Sequence, residues 1–165
     1  MTILTTFFGV GYLRPAPGTW ASAIAIALGV GIDRWLGYPA LVVATALAIV
    51  LGLWACKATL APGEDPGHVV IDEVAGQWLT LLFPAAAFWS HGVENWAVVA
   101  YPGWVASFLF FRLFDIWKPS LIGRADRRGD AAGVMLDDLW AGLFAGIAGI
   151  LSAGLYHAVL QPLLG

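Results

Sequence analysis

An all-α, membrane-embedded helical bundle is the fold this sequence predicts, and three observations carry the expectation. Of 165 residues, 60% are hydrophobic, and the mean hydropathy is +0.81. Only 12% are charged, eight Lys or Arg against eleven Asp or Glu, for a net charge of −3. Soluble domains carry about 25% charge and about 45–50% apolar residues, so the excess here is large. The third observation is that the apolar residues gather in five stretches, most near the ~20 residues a helix needs to cross hydrocarbon.

The same numbers exclude other classes. Disorder requires low hydrophobicity and high charge. Nucleic-acid binding calls for a basic patch that an acidic chain of this kind lacks. A single cysteine, Cys56, leaves no disulfide framework and no cysteine-cluster metal site. The length suits one domain spanning residues 1–165.

In order along the chain, residues 1–19 have no Lys or Arg before their first apolar residues, and Arg14, Pro15 and Pro17 interrupt the run. A cleavable signal is therefore not expected. The first apolar stretch, 20–36, is rich in Ala, Ile and Leu and ends near Asp33 and Arg34. The second, 39–61, is apolar except for Lys57. Gly37-Tyr38-Pro39 between them reads as a tight turn, making a hairpin. The third, 74–90, is short and contains Pro84, where a kink is expected. The fourth, 96–114, holds no charge before Arg112, and the fifth, 139–160, holds none. Backbone groups in lipid must be satisfied within the segment, so these stretches should be helices.

Two connections are longer, 62–71 and 115–138. The second is studded with charge and glycine, and long loops in a compact protein are commonly functional. With five spans, the N-terminal segment and these two loops share one side. That side holds Arg14, Lys57, Arg112, Lys118, Arg124, Arg127 and Arg128, seven of the eight basic residues, which makes it the cytoplasmic face. Only Asp33, Arg34 and Glu94 fall opposite.

Four groups of residues could carry chemistry. Asp72-Glu73 stands where a membrane helix begins, with Gly76 one turn on to admit a neighbouring helix. Asp137-Asp138 repeats the design, with Ala141 and Gly142 one turn on. Either pair alone could be an N-cap. Two pairs on one face would repel unless a cation sat between them. Mg²⁺ is the hard ion that takes oxygen ligands, so Asp72, Glu73, Asp137 and Asp138 are candidate metal ligands. Arg112, Asp115 and Lys118 are spaced by three and would share one helix face before Pro119. Two cations and a carboxylate suit a bound phosphate beside a metal, or else a snorkelling anchor with an internal ion pair. Finally, Pro17-Gly18-Thr19 leads into the first apolar stretch. Thr19 could cap that helix, leaving backbone N–H groups facing an anion.

Other residues have plainer readings. Arg124, Arg127 and Arg128 suit contact with anionic headgroups. His68 is expected in an exposed loop, and His91 and His157 on or toward the far face. Cys56 reads as packing. Trp20, Trp89, Trp96 and Trp117 read as interfacial anchors. Gly142 and Gly146 form a small-residue pair that could join helices or two copies of the chain.

At these motifs the chain resembles the phosphatidylglycerophosphatase A family of bacterial membrane lipid phosphatases. The resemblance rests on Gly11 to Trp20, on His68 to Trp78 with Asp72-Glu73 and Gly76, on Phe111 to Pro119, and on Gly133 to Gly142. It covers nearly the whole length. One departure is Ala21, where the family tends to have Gly before Ser22. The resemblance implies Mg²⁺-dependent removal of the terminal phosphate of phosphatidylglycerol phosphate, at the cytoplasmic face of a bacterial inner membrane. Arg14 and Thr19 join Arg112 and Lys118 as candidate phosphate-binding residues. Asp115 would be a further ligand or the base. Water attack and an aspartyl-phosphate intermediate both remain open, as does one metal ion against two. Other phosphatase chemistries lack their residues: position 62 is Pro, so no Cys-x₅-Arg loop exists, and no Asp-x-Asp occurs.

Two rival classes fit the sequence less well. A transporter or channel places ionisable groups at mid-membrane, whereas these span interiors are nearly bare of charge. A structural membrane partner, supported only by the Gly142/Gly146 face, would need no paired carboxylates.

Overall fold

Gly37 closes one helix and opens the next. Its φ of 85° turns the chain, its N–H bonds to the Asp33 carbonyl, and Pro39 lies in the first turn of the helix that follows. A left-handed φ is cheap only for glycine, so the hairpin read from Gly37-Tyr38-Pro39 has a physical cause.

The computed structural model describes residues 1–61, 63–93, 101–160 and 163. Glu94, Trp96 and the expected helix start at 96 lie outside the described residues. All regular structure among those described is helical. A short helix α1 (Thr2–Thr5) and a 3-10 turn (Val10–Tyr12) precede α2 (Pro17–Leu36) and α3 (Tyr38–Thr59). Then come α4 (Ile71–Ser90), α5 (Tyr101–Trp117), the short α6 (Leu121–Asp126) and α7 (Ala131–Leu155). A π-helical turn, Tyr156–Leu160, extends α7.

The centre of the bundle is α4, which packs against α7, α3, α2 and α5. It runs unbroken through Pro84. Its contact with α7 is made by backbone. A Cβ on Gly142 would lie 2.4 Å from the Gly76 carbonyl oxygen, and one on Gly76 would lie 2.5 Å from that of Asp138. Thr80 Oγ1 lies within hydrogen-bonding distance of both the Gly76 and Gly142 carbonyls, at 3.0 and 3.1 Å. Small residues thus let two helices touch, and each Gly sits one turn beyond a carboxylate pair. The helices α2 and α4 run side by side in the same direction. Gly18 adjoins Glu73, the Trp78 indole donates to the Ala25 carbonyl at 2.7 Å, and Gly29 adjoins Trp78 and Leu81.

Several expectations need correction. Among the described residues two helices, rather than the expected five, are long and apolar enough to cross a membrane: Tyr38–Thr59 and Ala131–Val159. The reason is local composition. α2 ends near Asp33 and Arg34, and α4 carries Asp72, Glu73 and Gln77 in its first two turns. Both qualifying helices show outward apolar stripes, Val43, Leu47, Val50 and Trp54 on α3, and Ile147, Ile150, Leu151 and Leu155 on α7. The segment 115–138 is not a bare loop, since it contains the end of α5, all of α6 and the first two turns of α7. Of the two readings of the Gly142/Gly146 face, helix packing is the one seen, since Gly76 and the Phe83 ring occupy it within the chain.

Candidate active site

The site is assembled where α2 and α4 begin, where α5 ends and where α7 enters the bundle. Asp72 and Glu73 occupy the first turn of α4, so they belong to the helix rather than preceding it. No side chain caps that helix from Val70; instead Asp72 Oδ1 accepts from the Glu73 N–H at 3.0 Å. The Val70 N–H donates to the Thr5 carbonyl at 2.8 Å, tying the N-terminal segment beneath the helix start.

The backbone contact between Gly76 and Gly142 determines what meets above it. Asp72, Glu73 and Asp138 each offer a carboxylate oxygen, and these atoms lie within 4.8 Å of one another. Asp72 and Asp138 are buried and Glu73 is partly so. Asp115, from α5, is close enough to Asp138 and Glu73 to interact with both. Arg112 Nη1 pairs with Asp115 Oδ2 at 2.6 Å and reaches Ser22 Oγ at 3.5 Å. Gly18, in the first turn of α2, closes the group. A Cβ there would lie 2.2 Å from Glu73 Oε1 and 3.3 Å from Arg112 Nη1.

Asp137 takes a different place from its neighbour. Its Oδ2 accepts from Lys118 Nζ at 2.7 Å, and the same ammonium pairs with Asp126. Lys118 does not share the helix face of Arg112 and Asp115. It follows the last residue of α5 with φ +48°, and Ser120 beyond Pro119 has φ +54°. A residue before proline is disfavoured in the α region, which explains why the helical spacing fails here. Burial of the Lys118 ammonium opposes its charge, but Asp126 and Asp137 outweigh this and hold its pKa above the usual lysine range. Lys118 therefore joins α5, α6 and α7 as an ion-paired brace.

Thr19 is not the cap of α2. That helix begins at Pro17, whose fixed φ suits the first helical position, and its N-cap is Ala16. Thr19 is exposed in the first turn. Arg14 is exposed too and lines a surface cleft with Tyr12, Pro17 and His68, next to a cis Arg14-Pro15 bond. His68 is half-buried and stacks on Tyr12, with ring centroids 5.5 Å apart. Arg128 pairs with Asp130 at 2.9 Å. Trp20, Trp89 and Trp117 are exposed, as interfacial anchors would be.

Two residues escaped the sequence reading. Ser22 is fully buried beside Arg112, and Gln77 is fully buried one turn beyond Glu73. Glu73 Oε2, both polar atoms of the Gln77 carboxamide and Arg112 Nε have no hydrogen-bond partner among the described residues. Buried polar atoms are nearly always paired, so four such atoms on three residues mark a place for a ligand.

The donor set fits a hard divalent cation. Three carboxylate oxygens converge, one flanking carboxylate oxygen is unpaired, and the donors are all oxygen. Asp72, Glu73 and Asp138 would hold it. Beside them stand Arg112 and the first turn of α2, which suit an anion.

A helical protein with converging carboxylates beside a guanidinium and a helix start has the groups of a phosphatase site. Comparison with known proteins carries this further. The phosphatidylglycerophosphatase A family model matches residues 3–153. A Bacteroides thetaiotaomicron protein with the provisional name phosphatidylinositol-3-phosphatase is 35% identical over 149 residues, 87% of each chain. Phosphatidylglycerophosphatase A from Haemophilus influenzae is 34% identical over 87% of this chain and 82% of its own. The Escherichia coli protein of that name is 30% identical over 95% of this chain and 81% of its own. No solved structure matches the chain. The chain belongs to the phosphatidylglycerophosphatase A family and is a phosphatase enzyme.

Proposed function

We propose that this enzyme hydrolyses the terminal phosphomonoester of phosphatidylglycerol phosphate, giving phosphatidylglycerol and inorganic phosphate, with Mg²⁺ as cofactor. The observation that carries the reading is the meeting of Asp72, Glu73 and Asp138 beside Arg112 and Gly18. Mg²⁺, when bound, would neutralise phosphoryl oxygens and acidify a water.

The chain's own residues do the rest. Arg112 presents a guanidinium to the phosphate while Asp115 holds its orientation. The first turn of α2 offers backbone N–H groups to the same anion. Asp115 is placed to accept a proton from the attacking water. Net, water adds to phosphorus, the P–O bond to the glycerol breaks, and the leaving alkoxide takes a proton. Asp137 and Lys118 keep the entry of α7 in register. Arg14 and Thr19, exposed near the start of α2, would meet an incoming headgroup rather than the reacting phosphate.

The polar end of the bundle gathers the starts of α2, α4 and α7 and the end of α5, while α3 and α7 turn apolar stripes outward. This supports a multi-pass protein of the bacterial inner membrane with that end toward the cytoplasm, where its basic residues cluster. Acyl chains then stay in the bilayer while the headgroup reaches the carboxylates.

The test is phosphate release from phosphatidylglycerol phosphate by the purified full-length chain, in detergent and in liposomes, with Mg²⁺ and then with EDTA. Release that needs Mg²⁺ supports the reading; no release in any condition refutes it. Phosphatidylinositol 3-phosphate belongs in the same assay, given the name of the Bacteroides relative. Faster turnover of that lipid would reassign the substrate.

A further inference from the structure

We propose that Gln77 is a substrate-site residue whose carboxamide binds a hydroxyl group, donating through Nε2 and accepting at Oε1. The inference rests on the phosphatase reading and goes one step deeper into the same site.

Gln77 is fully buried in α4, and neither of its polar side-chain atoms has a partner among the described residues. Leaving such a group unsatisfied is costly, because the bonds to water lost on burial are not replaced. Two other buried polar side chains on the same helix are satisfied. The Trp78 indole has the Ala25 carbonyl, and Thr80 has the carbonyls of Gly76 and Gly142. On this helix the gap is confined, among the described residues, to Gln77 and to Glu73 Oε2 one turn before it.

Its position points to the site. Gln77 lies four residues beyond Glu73, on the same face of α4. On α2, which runs alongside in the same direction, Ser22 lies four residues beyond Gly18. Gly18 touches Glu73, and Ser22 is reached by Arg112. The other unpaired buried polar atoms described, Glu73 Oε2 and Arg112 Nε, belong to residues already in the site. Gln77 forms the next layer inward from the carboxylates.

The chemistry narrows the partner. A metal ion would satisfy Oε1 and leave Nε2 bare. A phosphoryl oxygen accepts only, so it would satisfy Nε2 and leave Oε1 bare. A hydroxyl donates and accepts, and so answers both. Two sources of O–H are at hand in the proposed reaction. One is the secondary hydroxyl of the substrate's terminal glycerol; the other is the water that attacks phosphorus.

The experiment compares wild type with Gln77→Met, which keeps the side chain's length without its polar atoms. Each is assayed on phosphatidylglycerol phosphate and on the analogue with a propane-1,3-diol headgroup, which lacks the secondary hydroxyl. Gln77→Met should lower kcat/KM on the natural lipid about five- to hundredfold. If the partner is the headgroup hydroxyl, the variant loses nothing further on the analogue, and the wild type disfavours the analogue by a similar factor. If the partner is water, both lipids lose equally, and in kcat. A variant within twofold of wild type on both lipids overturns the proposal. Thermal unfolding in detergent checks that Gln77→Met is folded. Should it not be, Gln77→Asn withdraws the carboxamide by one methylene and is held to the same outcomes. Wild-type enzyme inactive on both lipids would refute the phosphatase assignment of substrate; an active wild type with an unaffected variant would refute the role of Gln77 alone.

Discussion

Lys118 Nζ lies 2.7 Å from Asp137 Oδ2, and that pairing gives two adjacent carboxylates separate work. Asp138 turns into the group with Asp72 and Glu73, while Asp137 faces the ammonium. Asp138→Asn should therefore lower Mg²⁺-dependent kcat at least about 100-fold, on the scale of losing a ligand or a charge in the transition state. Asp137→Asn should cost less in kcat and more in thermal stability. Equal losses of kcat in the two variants would contradict this division.

Removing the ammonium exposes the structural side of the same pair. Lys118→Met leaves Asp137 buried without a counter-charge, and Asp126 without its partner. Because Lys118 is about a third exposed, the cost should be moderate, about 1–3 kcal/mol. Thermal unfolding in detergent measures it. Adding Asp137→Asn to Lys118→Met should recover part of the loss, and a strictly additive double variant would argue against the coupling.

The backbone contact between α4 and α7 should tolerate no side chain. Gly142→Ala puts a methyl 2.4 Å from the Gly76 carbonyl oxygen, a rigid neighbour that cannot swing aside. The helices must part, separating Asp138 from Asp72 and Glu73. We expect loss of about 1–3 kcal/mol of stability together with most of the activity. Gly149→Ala on the same helix, where a Cβ would meet open space, is the control and should behave as wild type.

Acid sensitivity has a local source at the start of α7. Asp130 caps that helix, accepting from the Gly133 N–H at 2.7 Å and pairing with Arg128. The Arg128 hydrogen bond, with that from Gly133, holds its carboxyl down to about 2. A folded pKa below the unfolded value stabilises the fold above the unfolded pKa. That contribution is complete above about pH 4 and is lost as pH falls toward 2. Asp130→Asn should flatten the dependence of unfolding temperature on pH across this window and leave it unchanged at neutral pH. A variant with the wild-type slope would place the acid sensitivity elsewhere.

Much of this site could be read before any coordinates, and the reasons are specific. Asp72-Glu73 and Asp137-Asp138 each combine adjacent like charges with a small residue one turn on, a pattern with a direct spatial meaning. Lys118 was misplaced because helical spacing was carried one residue too far, up to a proline that the helix does not reach. That Asp137 stands beside Lys118 was not legible, because chain adjacency says nothing about which way two neighbouring side chains turn. Gln77 and Ser22 leave no local mark at all. A lone polar residue in an apolar helix acquires meaning only when tertiary packing buries it. The helical class was legible from composition, but two of the five apolar stretches meet the length and hydropathy of a crossing helix among the described residues, because charge and polar groups enter the ends of α2 and α4. The small-residue pair Gly142/Gly146 was legible as a surface for joining helices or copies, but which helix it meets, α4, was not.

Because α2 and α4 run side by side in the same direction, their first turns open at the same end, with Glu73 lodged between them. Each helix start carries roughly half a positive elementary charge from its aligned peptide dipoles. The backbone thus surrounds these acids with a favourable field that no side-chain substitution removes. Part of the attraction for an anionic headgroup is accordingly a property of the bundle's architecture, and it should persist in chelator-treated enzyme as residual, salt-sensitive lipid binding.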